Sequence, residues 1–92
     1  MDAEQLQAIF EEKYENKLGI SFGQWLENAP QSEAAAYKRL NEIDVELNRT
    51  YDTWFEAKGE EKNQLEDYRD KLKGEYDLLE ELFGLEAKDK EW

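Results

Sequence analysis

The chain carries 24 Asp and Glu against 12 Lys and Arg over 92 residues, a formal net charge of -12, with no His and no Cys. That inventory removes imidazole and thiolate catalysis, disulfides and Cys-based zinc sites, and its sign opposes direct binding to a phosphate backbone. Three Trp, five Tyr, four Phe and regularly spaced Leu still supply a modest core, so the high charge does not imply disorder.

The first element is predicted over about 2–18, where Leu6, Ile9, Phe10 and Tyr14 fall on one helical face and Gly19 supplies a stop. Ser21 with Gln24 three residues on forms a capping-box pattern for a short helix over about 21–28, and Pro30 closes it. Ser32 caps a long helix over about 32–58, on which Tyr37, Leu40, Ile43, Leu47, Tyr51 and Trp54 recur at steps of three and four. Lys58 to Asn63 reads as a turn, with Asn63 and Glu66 as the cap of a fourth helix over about 63–83. Leu65, Tyr68, Leu72, Tyr76, Leu79 and Phe83 form its stripe, which stays in phase across Gly74. Gly84 ends that helix, and 85–92 reads as a frayed tail ending in the exposed Trp92.

Two long stripes joined by a polar turn make an αα-hairpin, and the first two elements are its natural lid. The expected architecture is therefore all-α, a small bundle of three to four helices built around the hairpin, forming one domain over 1–92. Aromatic residues on the stripes (Tyr37, Tyr51, Trp54, Tyr68, Tyr76, Phe83) are expected in the core. Trp25 has two readings, core plug or exposed aromatic anchor, of which core is preferred. Asn41, Asp44 and Asn48 fall near the stripe of the third helix, and the edge of that stripe in water is their expected place.

Acid excess is uneven. Residues 1–35 hold seven acids and two bases, 36–58 five and four, and 59–92 twelve and six. Carboxylate pairs at helical spacing, such as Glu11 and Glu15 or Asp77 and Glu81, are what any acid-rich helix displays, and no motif marks a catalytic or metal site among them. The chain is expected to be non-catalytic and to need no cofactor.

Carboxylates spaced along rigid helices can stand in for phosphates on the basic surface of a nucleic-acid-binding protein, and complementary charge speeds encounter. Phage and mobile-element inhibitors of the DNA-mimic type use this principle, a class-level analogy rather than a family likeness. The expected function is an acidic module that binds a protein partner with a basic surface. Its candidate residues are Glu11, Glu12 and Glu15 on the first helix and Asp67, Asp70, Asp77, Glu80 and Glu81 on the last. Two alternatives share the composition: an assembly protein that forms a homodimer through its hairpin, and an antitoxin or immunity protein. No basic leader and no apolar run of roughly 20 residues occurs, so no membrane contact and a cytoplasmic location are expected.

Overall fold

A computed structural model describes residues 3–84, and the tail and Trp92 lie outside the described residues. The order is α1 (Ala3–Ile9), a π-helical turn (Phe10–Tyr14), α2 (Glu15–Leu18), α3 (Phe22–Glu27), α4 (Glu33–Glu56) and α5 (Gly59–Phe83), with no strand among the described residues. The segments α1, π turn and α2 form one amino-terminal helix, so the molecule is the expected bundle with α4 and α5 as its hairpin.

The π turn was not foreseen. Its extra residue sets the Glu15 N–H onto the Phe10 carbonyl, widening one turn of the helix. Phe10, Tyr14 and Leu18 drift around an ideal α-helix, since steps of four overshoot its period of 3.6. The wider turn cancels part of that drift, and all three side chains are buried.

Local punctuation follows the sequence closely up to α4. Gly19 ends α2 at φ +69°, in the left-handed region that favours glycine. Ser21 Oγ accepts from the Gln24 N–H while Gln24 Oε1 accepts from the Ser21 N–H, a complete capping box. Ser32 Oγ accepts from the Ala35 N–H and starts α4. The next boundary differs from expectation: α5 begins at Gly59, so the turn shrinks to Ala57 and Lys58, and Asn63 is an exposed residue inside the helix rather than its cap. Gly59 adopts φ +63°, which makes so short a reversal accessible. Glu60 and Glu61 then occupy the first turn, where their charge suits the helix dipole.

The core gathers where all elements overlap. Phe10 is fully enclosed, its ring 5.6 Å from that of Phe22 and 5.7 Å from that of Trp25. Ala36, Leu40, Ile43 and Leu47 supply the α4 side, and Tyr76, Leu78 and Leu79 the α5 side. In its carboxy-terminal half α5 is apolar on two opposite faces. Leu72 and Tyr76 continue the stripe toward α4, while Gly74 lies across the helix, where α2 packs, with the buried Leu78 one turn on. A Cβ at Gly74 would stand 3.4 Å from Lys17 Cβ and 3.5 Å from Leu18 Cδ2, so the backbones of α2 and α5 approach closely there.

The distal half of the hairpin has no such cover, which corrects the expected core. Tyr37, Tyr51 and Tyr68 are exposed, Trp54 and Phe83 are half-buried, and of the stripe aromatics only Tyr76 is buried. In place of an apolar layer the distal seam holds Arg69, which is 2% exposed. Its Nη1 donates to the Leu47 carbonyl at 2.5 Å and to Thr50 Oγ1 at 2.7 Å. Its guanidinium lies 5.6 Å from the ring centres of both Tyr51 and Trp54, within reach of cation–π attraction. Trp54 Nε1 beside it is buried without a protein acceptor. Lys62 Nζ, 4.9 Å from the Trp54 ring centre, closes the tip across the turn.

Two stability outcomes follow. Gly74→Ala places a methyl at ordinary contact distance and gains helix propensity, so the urea midpoint is expected to rise by the equivalent of about 0.5–1 kcal/mol. Gly74→Leu must instead lower it by forcing α2 away; a fall for both variants would mean that the approach tolerates no side chain. For Arg69, Met keeps the aliphatic volume and removes a desolvated charge; the Leu47 carbonyl lies inside α4, within 3.4 Å of the Thr50 hydroxyl, and that hydroxyl also donates to the Glu46 carbonyl at 2.8 Å. Arg69→Met should change stability by less than about 1 kcal/mol, whereas Arg69→Ala should lose roughly 2 kcal/mol or more through lost packing. Equal losses in urea denaturation would show that the charge itself holds the helices.

Candidate protein-binding surface

The amino-terminal helix, which carries one acidic group, packs along the carboxy-terminal half of α5, which carries Asp77, Glu80 and Glu81 of the other. Glu11, Glu12 and Glu15 are exposed on the first, and Asp67 and Asp70 on the second. Asp77, Glu80 and Glu81, half-buried, gather near the Tyr14 hydroxyl, where all three carboxylates act on it electrostatically. The candidate acids thus stand on two helices that pack together, and they are not equivalent.

Glu81 is tied into the fold. Its Oε2 accepts from the Tyr14 hydroxyl at 2.5 Å and its Oε1 from Lys13 Nζ at 3.1 Å. The Tyr14 hydrogen bond, then that of Lys13, hold the Glu81 carboxyl below the usual carboxylate range. Burial, then the hydrogen bond to Glu81 and its charge, push the Tyr14 phenol well above its ordinary value. Asp67 pairs with Lys71 one turn on at 3.2 Å, and Glu11 accepts from Gln7 at 2.9 Å. Both pairs are exposed, and such pairs add little to stability.

Elsewhere, charge stitches the hairpin. Arg39 makes a two-pronged contact with Glu75, at 2.5 and 2.9 Å, joining α4 to α5; hydrogen bonding to that carboxylate raises its guanidinium further. Glu46 accepts from Arg49 and from the Tyr68 hydroxyl, and these bonds, Arg49 first, lower its carboxyl. Burial lowers the Arg69 guanidinium.

Trp25 takes the core alternative. It is buried against Phe10 and Phe22, so it does not stand out as an aromatic anchor, though its edge lines an open cleft of about 330 Å³ with Ile20, Pro30, Arg39 and Glu75. The charged pair lining that cleft is engaged with itself. Among the described residues no group of three or more carboxylates is placed to hold a metal ion, and no helix is long and apolar enough to cross a membrane. Asp44 is half-buried at the stripe's edge, while Asn41 and Asn48 are exposed.

The large exposed apolar residues on α4, Tyr37, Val45, Tyr51 and Phe55, include two, Val45 and Phe55, outside the sequence stripe. Phe55 is one turn beyond Tyr51 and stacks on it, rings 14° apart at 6.3 Å. The step of four between them was visible in the sequence, but exposure depends on where the covering helices stop. No family model matches the chain, and neither curated proteins nor solved structures yield a match.

The Glu81 linkage has a defined sign. A carboxyl with a depressed folded-state value stabilises the fold above its unfolded value, here 4.5, and that contribution is lost as pH falls through the lower folded value. The phenol, raised from 10.0, stabilises below pH 10 and loses that contribution as pH rises further. Tyr14→Phe is therefore expected to flatten the stability profile below pH 4.5 and above pH 10 in urea titrations at varied pH. A profile of unchanged shape would mean that Tyr14 and Glu81 are not coupled.

Proposed function

We propose that this protein acts without catalysis, as an acidic module that docks onto the basic surface of a protein partner whose own ligand is nucleic acid, in the manner of a DNA-mimic inhibitor. The observation that carries the reading is the arrangement of Glu11, Glu12, Glu15, Asp67 and Asp70: all are exposed, and they stand on two helices locked side by side by Tyr14, Glu81 and Gly74. Carboxylates held on a rigid support meet a cationic surface without first being ordered, which favours fast and salt-sensitive association. Glu81 belongs to the support more than to the contact set, since both of its oxygens are engaged.

The test is affinity capture from host lysate at low salt, with elution by salt. Wild-type protein is compared with Glu11→Lys/Glu12→Lys/Glu15→Lys and with Asp67→Lys/Asp70→Lys. A basic nucleic-acid-binding protein, released by roughly 0.5 M salt and lost with at least one charge reversal, is the expected result. Capture of the chain by itself alone, unaffected by salt, would overturn the reading in favour of an assembly role through the hairpin.

A further inference from the structure

The charges of α4 are segregated around its axis. At about 100° per residue, Lys38, Arg39 and Arg49 fall together with Glu42 and Glu46 on one side. Arg39 pairs there with Glu42 and Glu75, Arg49 with Glu46, and Glu46 accepts from Tyr68. These pairs identify that side as one flank of the α4–α5 seam, and the α3 residues Gln24 and Trp25 border it at Arg39 and Glu75. The other flank of α4 carries Tyr37, Tyr51 and Phe55 in line with Glu33 and Asp44, with Asp52 beside them, and no Lys or Arg of α4 falls on it.

That line is open. Phe55 is 66% exposed, Tyr37 48% and Tyr51 39%. From Tyr37 to Phe55 it runs five helical turns, about 27 Å. The bordering edge of α5 adds Glu66 and Glu80 against Lys62 and Lys73, by the same helical phase, while Asp70 and Asp77 line a cleft with Asn16 and Lys17 of the amino-terminal helix; Lys62 already lies over the Trp54 ring.

Aromatic rings in a straight line with acids beside them fit one kind of occupant. Tyr and Phe offer rigid apolar area and ring faces that attract Arg and Lys, and the acids complete the match with cations flanking an apolar stripe. A second copy is a poor occupant, since it would set two α4 flanks without Lys or Arg together on molecules that each carry -12. We infer that the Tyr37–Tyr51–Phe55 flank of α4 is a docking surface for a basic amphipathic helix of the partner protein, laid along the hairpin. This deepens the reading above and rests on it.

The probe is a labelled synthetic helix of about 18 residues, long enough for the line, with Leu at i, i+3, i+4 and i+7 and Arg on both sides. One control peptide exchanges Leu for Ser at the same charge, and another exchanges Arg for Glu. Binding is read by fluorescence anisotropy and by backbone-amide NMR shifts, on wild type, Tyr37→Ser/Phe55→Ser and Glu11→Lys/Glu12→Lys/Glu15→Lys. The two aromatic positions are exposed, so the fold should survive, which the NMR spectrum itself reports.

The Leu–Arg peptide should shift the amides around Tyr37, Asp44, Tyr51 and Phe55, and Tyr37→Ser/Phe55→Ser should weaken it about tenfold or more. The Ser–Arg peptide should bind about tenfold more weakly, and the charge reversal on the amino-terminal helix should cost less than about twofold. Equal binding of both Arg peptides, with shifts on the amino-terminal helix, would overturn this surface and leave the acidic-module reading standing. Binding of neither Arg peptide would overturn both. A salt-insensitive dimer that Tyr37→Ser/Phe55→Ser dissociates would replace the basic helix by a second copy.

Discussion

The two-sided packing of α5 is the constraint on which the rest of the structure depends. A helix in a hairpin needs one apolar stripe, and α5 has that stripe toward α4. In its carboxy-terminal half it also buries Gly74 against α2 and, one turn on, Leu78 on the same side. Because Gly74 lacks a side chain, the amino-terminal helix can come close enough for Tyr14 to reach Glu81 and for Lys13 to reach the same carboxylate. The π turn serves the same packing by keeping Phe10, Tyr14 and Leu18 on one line. Remove the second face of α5 and the amino-terminal helix has nothing to lie on.

Sandwiching only half of the hairpin divides the molecule into two physical regimes. The proximal half is stabilised by apolar burial around Phe10, Ile43 and Leu78, all fully enclosed. The distal half has two helices and no lid, too little to enclose Tyr51, Trp54 and Tyr68. It is held by Arg69, which satisfies a carbonyl and a hydroxyl and lies against two aromatic rings, and by Lys62 over Trp54. A guanidinium suits this place, since it is planar, weakly hydrated and able to donate along one edge while its face meets a ring. Tyrosine on the open side tolerates water at its hydroxyl end, so exposure there is cheaper than it would be for Leu.

The division bears on function. Glu11, Glu12 and Glu15 stand on the proximal, well-packed support, whereas Asp67 and Asp70 flank Arg69 where the distal half begins. The aromatic line runs down the flank of α4 into the distal half, where the covering helices do not reach. One molecule thus presents exposed carboxylates and an open aromatic strip, the two features on which the proposed docking rests.

Sequence by itself determined the helical class, the hairpin and most helix ends. These depend on local physics: the period of apolar residues, hydroxyl caps at Ser21 and Ser32, and glycine at Gly19 and Gly84, where φ is positive. It also located the acid-rich ends of the chain. Where local signals competed, sequence reading failed. Asn63 looks like a cap but stands within α5, because Gly59 makes an earlier reversal accessible and Glu60 and Glu61 suit a first turn. Tertiary structure alone decided which stripe positions are core, because a stripe records only that one side of a helix is apolar, not how far a neighbour extends along it. Tyr37 and Tyr76 look alike in the sequence; the second is buried among the helices, while the first, next to the fully buried Ala36, stands on the open flank of α4. Glu81 became a structural residue and Trp25 a buried one for the same reason, since each owes its role to contacts with a residue distant or reoriented in the chain, Tyr14 in one case and Phe10 in the other.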